Sequence, residues 1–118
     1  MINRPRQQQL SLIPKLYSTD STELKDKPVY MRFSFPGGSE WYAFEFDGID
    51  TFFGFVILNN DFELSEIGYF SLNELSDIKL HGCIEVQCDP FWKVRPANQV
   101  DKICYARGWS MPKISIVP

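Results

Sequence analysis

Carboxylates dominate the residues of this chain that could do chemistry. Between Phe33 and Ile78 there are nine acidic side chains and not one Lys or Arg. Glu45, Asp47 and Asp50 form a first group, and Asp61, Glu63 and Glu66 a second one a turn of chain later. Such a set serves as oxygen ligands for a hard cation, as a general acid and base pair, or as an acidic face for a basic partner. The calcium-loop pattern D-x-[DN]-x-[DN]-G is absent, and nothing in 118 residues suggests a sugar cleft with a carboxylate on each side. No catalytic residue, metal ligand or cofactor is therefore assigned. A small metal-dependent or acid/base enzyme using Glu45, Asp47 and Asp50 is kept as the alternative.

His81, Cys83, Cys88 and Cys104 are the right residue types for zinc, but there is no C-x-x-C pair. On a strand the odd separation of Cys83 and Cys88 points them to opposite faces. Buried free thiols explain them better, and His81 belongs to an exposed His-Gly turn. Three cysteines with no disulfide-framework spacing fit a reducing compartment. With no run of about 20 apolar residues and no secretory leader pattern, the expected location is the cytoplasm and no membrane is involved.

The net charge is -3, and its distribution is polarised. Lys93, Arg95, Lys102, Arg107 and Lys113 follow the acidic middle with only Asp101 among them, so the simplest use of this segment is attraction within the chain. With Trp92 and Trp109 for stacking, it also supplies a second alternative, a nucleic-acid-binding accessory protein. Scattered surface charge and core-anchoring tryptophans account for the same residues more simply, and direct nucleic-acid binding is not expected.

The elements that position the carboxylates follow from apolar periodicity. In PVYMRFSF, Val29, Met31, Phe33 and Phe35 alternate with Tyr30, Arg32 and Ser34, the period of a half-buried strand. Pro36-Gly37-Gly38 turns it into a second strand, Glu40 to Asp47, with Tyr42, Phe44 and Phe46 on the core face and Trp41, Ala43 and Glu45 on the other. TFFGFVILN is a third, central strand in which Gly54 marks a bulge, and Glu66 to Phe70 a short fourth. Ser71-Leu72-Asn73-Glu74 spells a capping box for a helix ending near Ile78. Cys83 to Cys88 alternates again. A last helix spans Asn98 to Arg107, with Val100, Ile103, Cys104 and Arg107 inward and Gly108 as its stop.

The expected fold is α+β: a twisted antiparallel meander of about five strands, with the capped helix and the C-terminal helix packed on it. Residues 1–11 read as a loose arm and residues 12–118 as one domain. On this scaffold Trp41 is either an aromatic anchor for a partner or is covered by the last helix.

Three strings, LIPKLYSTDSTELKDKPVY, SEWYAFEFDGIDTFFGFVILNNDFELSEIGYFSLNELSDIK and FWKVRPANQVDKICYARGW, resemble the bacterial family known as domain of unknown function 2958. The most specific pieces are Trp41-Tyr42 with Glu45-Phe46-Asp47, the triplet Phe52-Phe53-Gly54, and Gly68-Tyr69 before Ser71-Leu72-x-Glu74-Leu75. The resemblance spans Leu12 to Trp109, and the arm Met1 to Ser11 departs from it. It implies a small protein of phages, plasmids or integrative elements and brings no catalytic residues. The expected function is accordingly non-enzymatic protein binding by an acidic and aromatic face of Trp41, Glu45, Asp47, Asp50, Asp61, Glu63 and Glu66. The expected partner is a host or element-encoded protein with a basic surface, such as a nucleic-acid-binding defence protein inhibited in the anti-CRISPR or anti-restriction manner.

Overall fold

The architecture is that of a computed structural model, which describes residues 1–110. In chain order it contains α1 (Gln7–Leu10), β1 (Pro28–Val29), β2 (Met31–Phe35), β3 (Ser39–Phe46), β4 (Thr51–Leu58), β5 (Asp61–Ser71), α2 (Leu72–Asp77), β6 (Lys79–Leu80), β7 (Ile84–Glu85), β8 (Gln87–Cys88), β9 (Arg95–Pro96) and α3 (Asp101–Arg107). Five strands form an antiparallel sheet in the order β5-β4-β3-β2-β8. From β2 to β5 this is the expected meander. The fourth strand is longer than the alternation suggested, and Cys83 to Cys88 divides between β7, which pairs with β6, and β8, which closes the sheet beside β2.

Both faces of the sheet are covered, which explains why every residue of β3 is buried. On one face Phe33, Trp41, Ala43, Phe46, Phe52 and Phe70 pack under Leu10, Ile13, Leu72, Leu75 and Val86. Phe52 is the centre of an aromatic ladder there, with ring centroids 4.5 Å from Phe46, 5.1 Å from Phe70 and 5.4 Å from Phe33. Each such ring contributes about 2–3 kcal/mol by leaving water. On the other face Tyr42, Phe44, Phe55 and Ile57 meet Ala97, Val100 and Ile103. The two predicted helices thus cover opposite sides of the sheet.

A bulge between Ala43 and Glu45 overturns the expected face assignment. Ala43 faces Gly54, whereas Glu45 faces Phe53 and Phe46 faces Phe52, so Phe44 is the extra residue. Beyond it the alternation is inverted. Phe46 joins the side of Trp41 and Ala43, and Glu45 moves to the side of Tyr42. Gly54, expected to mark a bulge in its own strand, sits opposite the bulge in β3, and a Cβ there would lie 1.8 Å from the Tyr42 carbonyl oxygen.

Residues 1–11 are fastened to the sheet rather than loose. Ile2 N–H donates to the Val86 carbonyl and the Cys88 N–H to the Ile2 carbonyl, both at 2.9 Å, a parallel bridge alongside β8. Pro5 and Leu10 are buried, and the Arg4 guanidinium reaches Ser76 and Asn73 on α2. Neither apolar period reveals this, since the anchoring is by backbone hydrogen bonds, the Arg4 side chain and the isolated Pro5 and Leu10.

Candidate functional site

The nine carboxylates of the acid-only run do not form one face. Glu45 is 2% exposed, and its oxygens accept from the Tyr17 N–H at 2.8 Å, the Thr19 N–H at 3.1 Å and the Thr19 hydroxyl. The ammonium of buried Lys27 donates to the Thr19 hydroxyl at 2.8 Å and to its carbonyl, extending the network. Trp41 is 6% exposed, and its cover is the Leu10–Ile13 segment and α2, not the last helix. The expectation that Trp41 and Glu45 lie together on an accessible face is therefore corrected: the bulge separates them and packing buries both.

Asp47 and Asp50 are turn builders. Asp47 Oδ1 accepts from the amides of Ile49, Asp50 and Thr51 at 2.8, 2.8 and 3.0 Å. Desolvation opposes ionisation of this carboxyl, but those amides outweigh it and hold the group below the usual aspartate value. Asp50 accepts from the Asn73 N–H at 2.7 Å and from the Ser71 hydroxyl, gripping the first turn of α2. Ser71 Oγ in turn accepts from the Glu74 N–H at 3.1 Å, the first half of the expected capping box. Asp50 adds a second acceptor to that cap, for the Asn73 N–H.

Among the described residues no three His, Cys, Asp or Glu side chains are grouped as metal ligands, so Glu45, Asp47 and Asp50 do not converge on one centre. Cys88 and Cys104 are buried and Cys83 is exposed. Burial, with the Asp89 charge beside it, pushes the Cys88 thiol up to about 11, which keeps it protonated and unreactive.

Asp61, Glu63 and Glu66 have a different setting. All three are exposed on β5, the edge strand of the sheet. The outer side of β5 pairs with no strand among the described residues. Leu64 and Tyr69 on the same strand are 78% and 54% exposed. Asp61 Oδ1 accepts from the Leu64 N–H at 3.2 Å, and Glu63 and Glu66 form no ion pair among the described residues.

Sequence reasoning missed the most tightly bound carboxylate, Glu40. It is 3% exposed, accepts from Arg32 Nε at 2.6 Å and from the Tyr42 hydroxyl at 2.5 Å, and is paired with the Lys102 ammonium. Arg32 also reaches Asp89 at 3.2 Å. Burial works against ionisation of Glu40, but the Arg32, Lys102 and Tyr42 donors prevail and lower its pKa; burial and the Glu40 carboxylate raise that of Tyr42. A carboxylate that already accepts from three donors is a poor proton acceptor for chemistry. The signal was present in the alternation, since Glu40 shares a face with Tyr42 and, across the hairpin, with Arg32.

The basic C-terminal residues have separate internal duties. Lys102 serves Glu40, Arg107 lies 5.5 Å from the Phe55 ring centre, and Arg95 lies 3.9 Å from that of Trp92. Trp92 donates its indole N–H to the Val29 carbonyl at 2.9 Å, and Trp109 packs beside the Tyr42 face of the core. Lys93 is exposed, and Lys113 lies outside the described residues.

Fold and site together define a small α+β domain with a covered sheet and an acidic edge strand. The chain belongs to the family described as Protein of unknown function (DUF2958), whose model matches residues 4–100. The match takes in most of the N-terminal segment, so that segment is a family feature and not an appendage of this chain alone. No curated protein and no solved structure matches the chain. Among the described residues no helix is long and apolar enough to cross a membrane.

Proposed function

We propose that this domain is a non-enzymatic, protein-binding component of a mobile genetic element that docks a basic partner along β5. The observation that carries the reading is the edge itself: Asp61–Ser71 has an unpaired outer side, in regular register with β4 from Glu66 to Ser71 and bulged between Asp61 and Glu66, with three exposed carboxylates and no cation in the strand. A basic extended segment laid beside β5 would gain backbone hydrogen bonds from the free edge and charge complementarity from Asp61, Glu63 and Glu66. Such a partner is found among nucleic-acid-binding defence proteins, and the function that follows is their inhibition in the cytoplasm, of the anti-CRISPR or anti-restriction type. Glu45 and Trp41 take no part in this contact, because they support the scaffold.

The test is recovery of host proteins by the wild-type chain and by a variant carrying Asp61→Lys, Glu63→Lys and Glu66→Lys, with the fold of each checked by circular dichroism. The expected result is a basic protein that the wild type retains, that salt releases, and that the variant does not retain. In cells carrying a restriction or CRISPR system, the wild type should raise phage plating efficiency and the variant should not. Equal recovery of the same partner by both chains rules out the edge.

A further inference from the structure

Matching the basic side chains near Glu40 with their carboxylates leaves one cation over. Arg32 is held by Glu40 and Asp89, and Lys102 by Glu40, whereas Arg95 makes no ion pair among the described residues. Its Nε is buried and is the one such side-chain nitrogen or oxygen without a hydrogen-bond partner among the described residues. A guanidinium stays charged at any ordinary pH, so the N–H cannot be silenced by losing its proton. Leaving it unmatched costs about 1–3 kcal/mol. Arg95 is also fixed in place, by the pairing of β9 with β1, where it faces Val29, and by its contact with the Trp92 ring.

Arg95 lines a cavity of about 210 Å³ together with Arg32, Glu40, Tyr42, Trp92, Asp101 and Lys102, in which the Glu40 carboxylate is already held by Arg32, Lys102 and Tyr42. We propose that this cavity binds one small oxyanion, a phosphate or carboxylate group, through the Arg95 fork. The guanidinium offers parallel N–H donors whose geometry matches such a group, and a small turn of the Arg95 side chain toward the cavity would bring the buried, unmatched Nε to the same acceptor. Size and charge narrow the ligand. The cavity is below the roughly 300 Å³ at which drug-sized ligands begin to fit. Glu40 and Asp101 on its wall disfavour a polyanion, and the contact of Trp92 with Arg95 competes with base stacking. A nucleic-acid backbone is therefore a poor occupant, and a single anionic group a good one.

The test uses the full chain labelled with nitrogen-15, titrated with inorganic phosphate and separately with sodium acetate, with sodium chloride at matched ionic strength as control. Saturable shifts of the Arg95 Nε–Hε and Trp92 indole resonances are expected with phosphate or acetate and not with chloride. Whichever anion saturates at lower concentration identifies the group. Arg95→Gln should weaken binding by about tenfold or more, and exposed Lys93→Gln should leave it unchanged. Arg95→Lys keeps the charge but lacks the fork, and should fall between them. The inference is overturned by an equal response to chloride, by the absence of saturable shifts in the wild type, or by full affinity in Arg95→Gln. Should Arg95→Gln not fold, full affinity in Arg95→Lys overturns it instead.

Discussion

Arg32 Nε donates to Glu40 Oε1 at 2.6 Å on the diagonal of the β2–β3 hairpin, and through this pair the sheet is joined to α3 by Lys102 and to the segment after β8 by Asp89. A diagonal pair of opposite charge on a sheet contributes only a few tenths of a kcal/mol when exposed. Here the carboxylate is buried and bound from three sides, so removal of its charge leaves donors unmatched. Glu40→Gln should destabilise the fold by about 2–4 kcal/mol, read as a lower urea midpoint.

The same group gives a pH dependence of defined sign. Its folded-state pKa lies below the ordinary value of 4.5. The stabilisation is therefore complete above that value and is lost as pH falls through the lowered one. The difference in stability between wild type and Glu40→Gln should be constant near neutrality and shrink below about pH 4.5. A difference that stays constant down to about pH 3 would show that the charge of Glu40 is not what holds the pair.

Gly54 is required by contact rather than by backbone angle. A Cβ at this position would lie 1.8 Å from the Tyr42 carbonyl oxygen and 3.0 Å from the Phe70 ring, and the first neighbour is backbone that cannot step aside. Gly54→Ala should cost about 3 kcal/mol or more, seen as a large fall in Tm. Gly68 faces Gly54 across the β4–β5 pair, and a Cβ there meets nothing within 4 Å. Gly68→Ala should change stability by no more than about 1 kcal/mol, which makes it the control.

The bulge also marks how far the alternation in the sequence can be followed. The strands from Met31 to Ser71 have the expected neighbours, because strict period-two runs between Gly and Asn turns leave few alternatives. From Met31 to Ala43 the faces are as the pattern predicts, but Val29, expected beside Met31 and Phe33, packs on the opposite face with Tyr42 and Phe55, because the strand is interrupted at Tyr30. One inserted residue then shifts Glu45 and Phe46 across the sheet, and no residue type at Phe44 announces it. Trp41 was ambiguous for another reason. Its accessibility depends on whether a distant segment, here Leu10–Ile13, folds back over it, and that is decided by backbone bonds from Ile2 to Val86 and Cys88. The grouping of Glu40 with Arg32 and Lys102 was half legible, as a hairpin diagonal, but the contribution of Lys102 depends on where α3 docks.

On β5 the carboxylates have a second consequence, independent of any partner. A long unpaired edge with exposed Leu64 and Tyr69 is a template for pairing with another copy, and like charges along it oppose that pairing. Glu63→Val with Glu66→Val removes two of the three charges and raises the strand preference of the edge. Light scattering across a concentration series should then show a larger mean mass for the double variant than for the wild type. Identical masses at every concentration would mean that the edge is blocked by something other than its charge.

Burial of Glu45 is structural. Its carboxylate satisfies two backbone amides, of Tyr17 and Thr19, in a segment without strand or helix, and the Thr19 hydroxyl between it and Lys27 ties that segment to the start of β1. Glu45→Ala would leave those two amides without their acceptor and would free the Thr19 hydroxyl that orients toward Lys27. The expected cost is about 2–4 kcal/mol, concentrated in local opening of residues 15–20. Hydrogen exchange should show the Tyr17 and Thr19 amides exchanging much faster in the variant while those of Phe53 and Phe55 stay protected. Unchanged protection at Tyr17 and Thr19 would mean that Glu45 is not what fastens this segment.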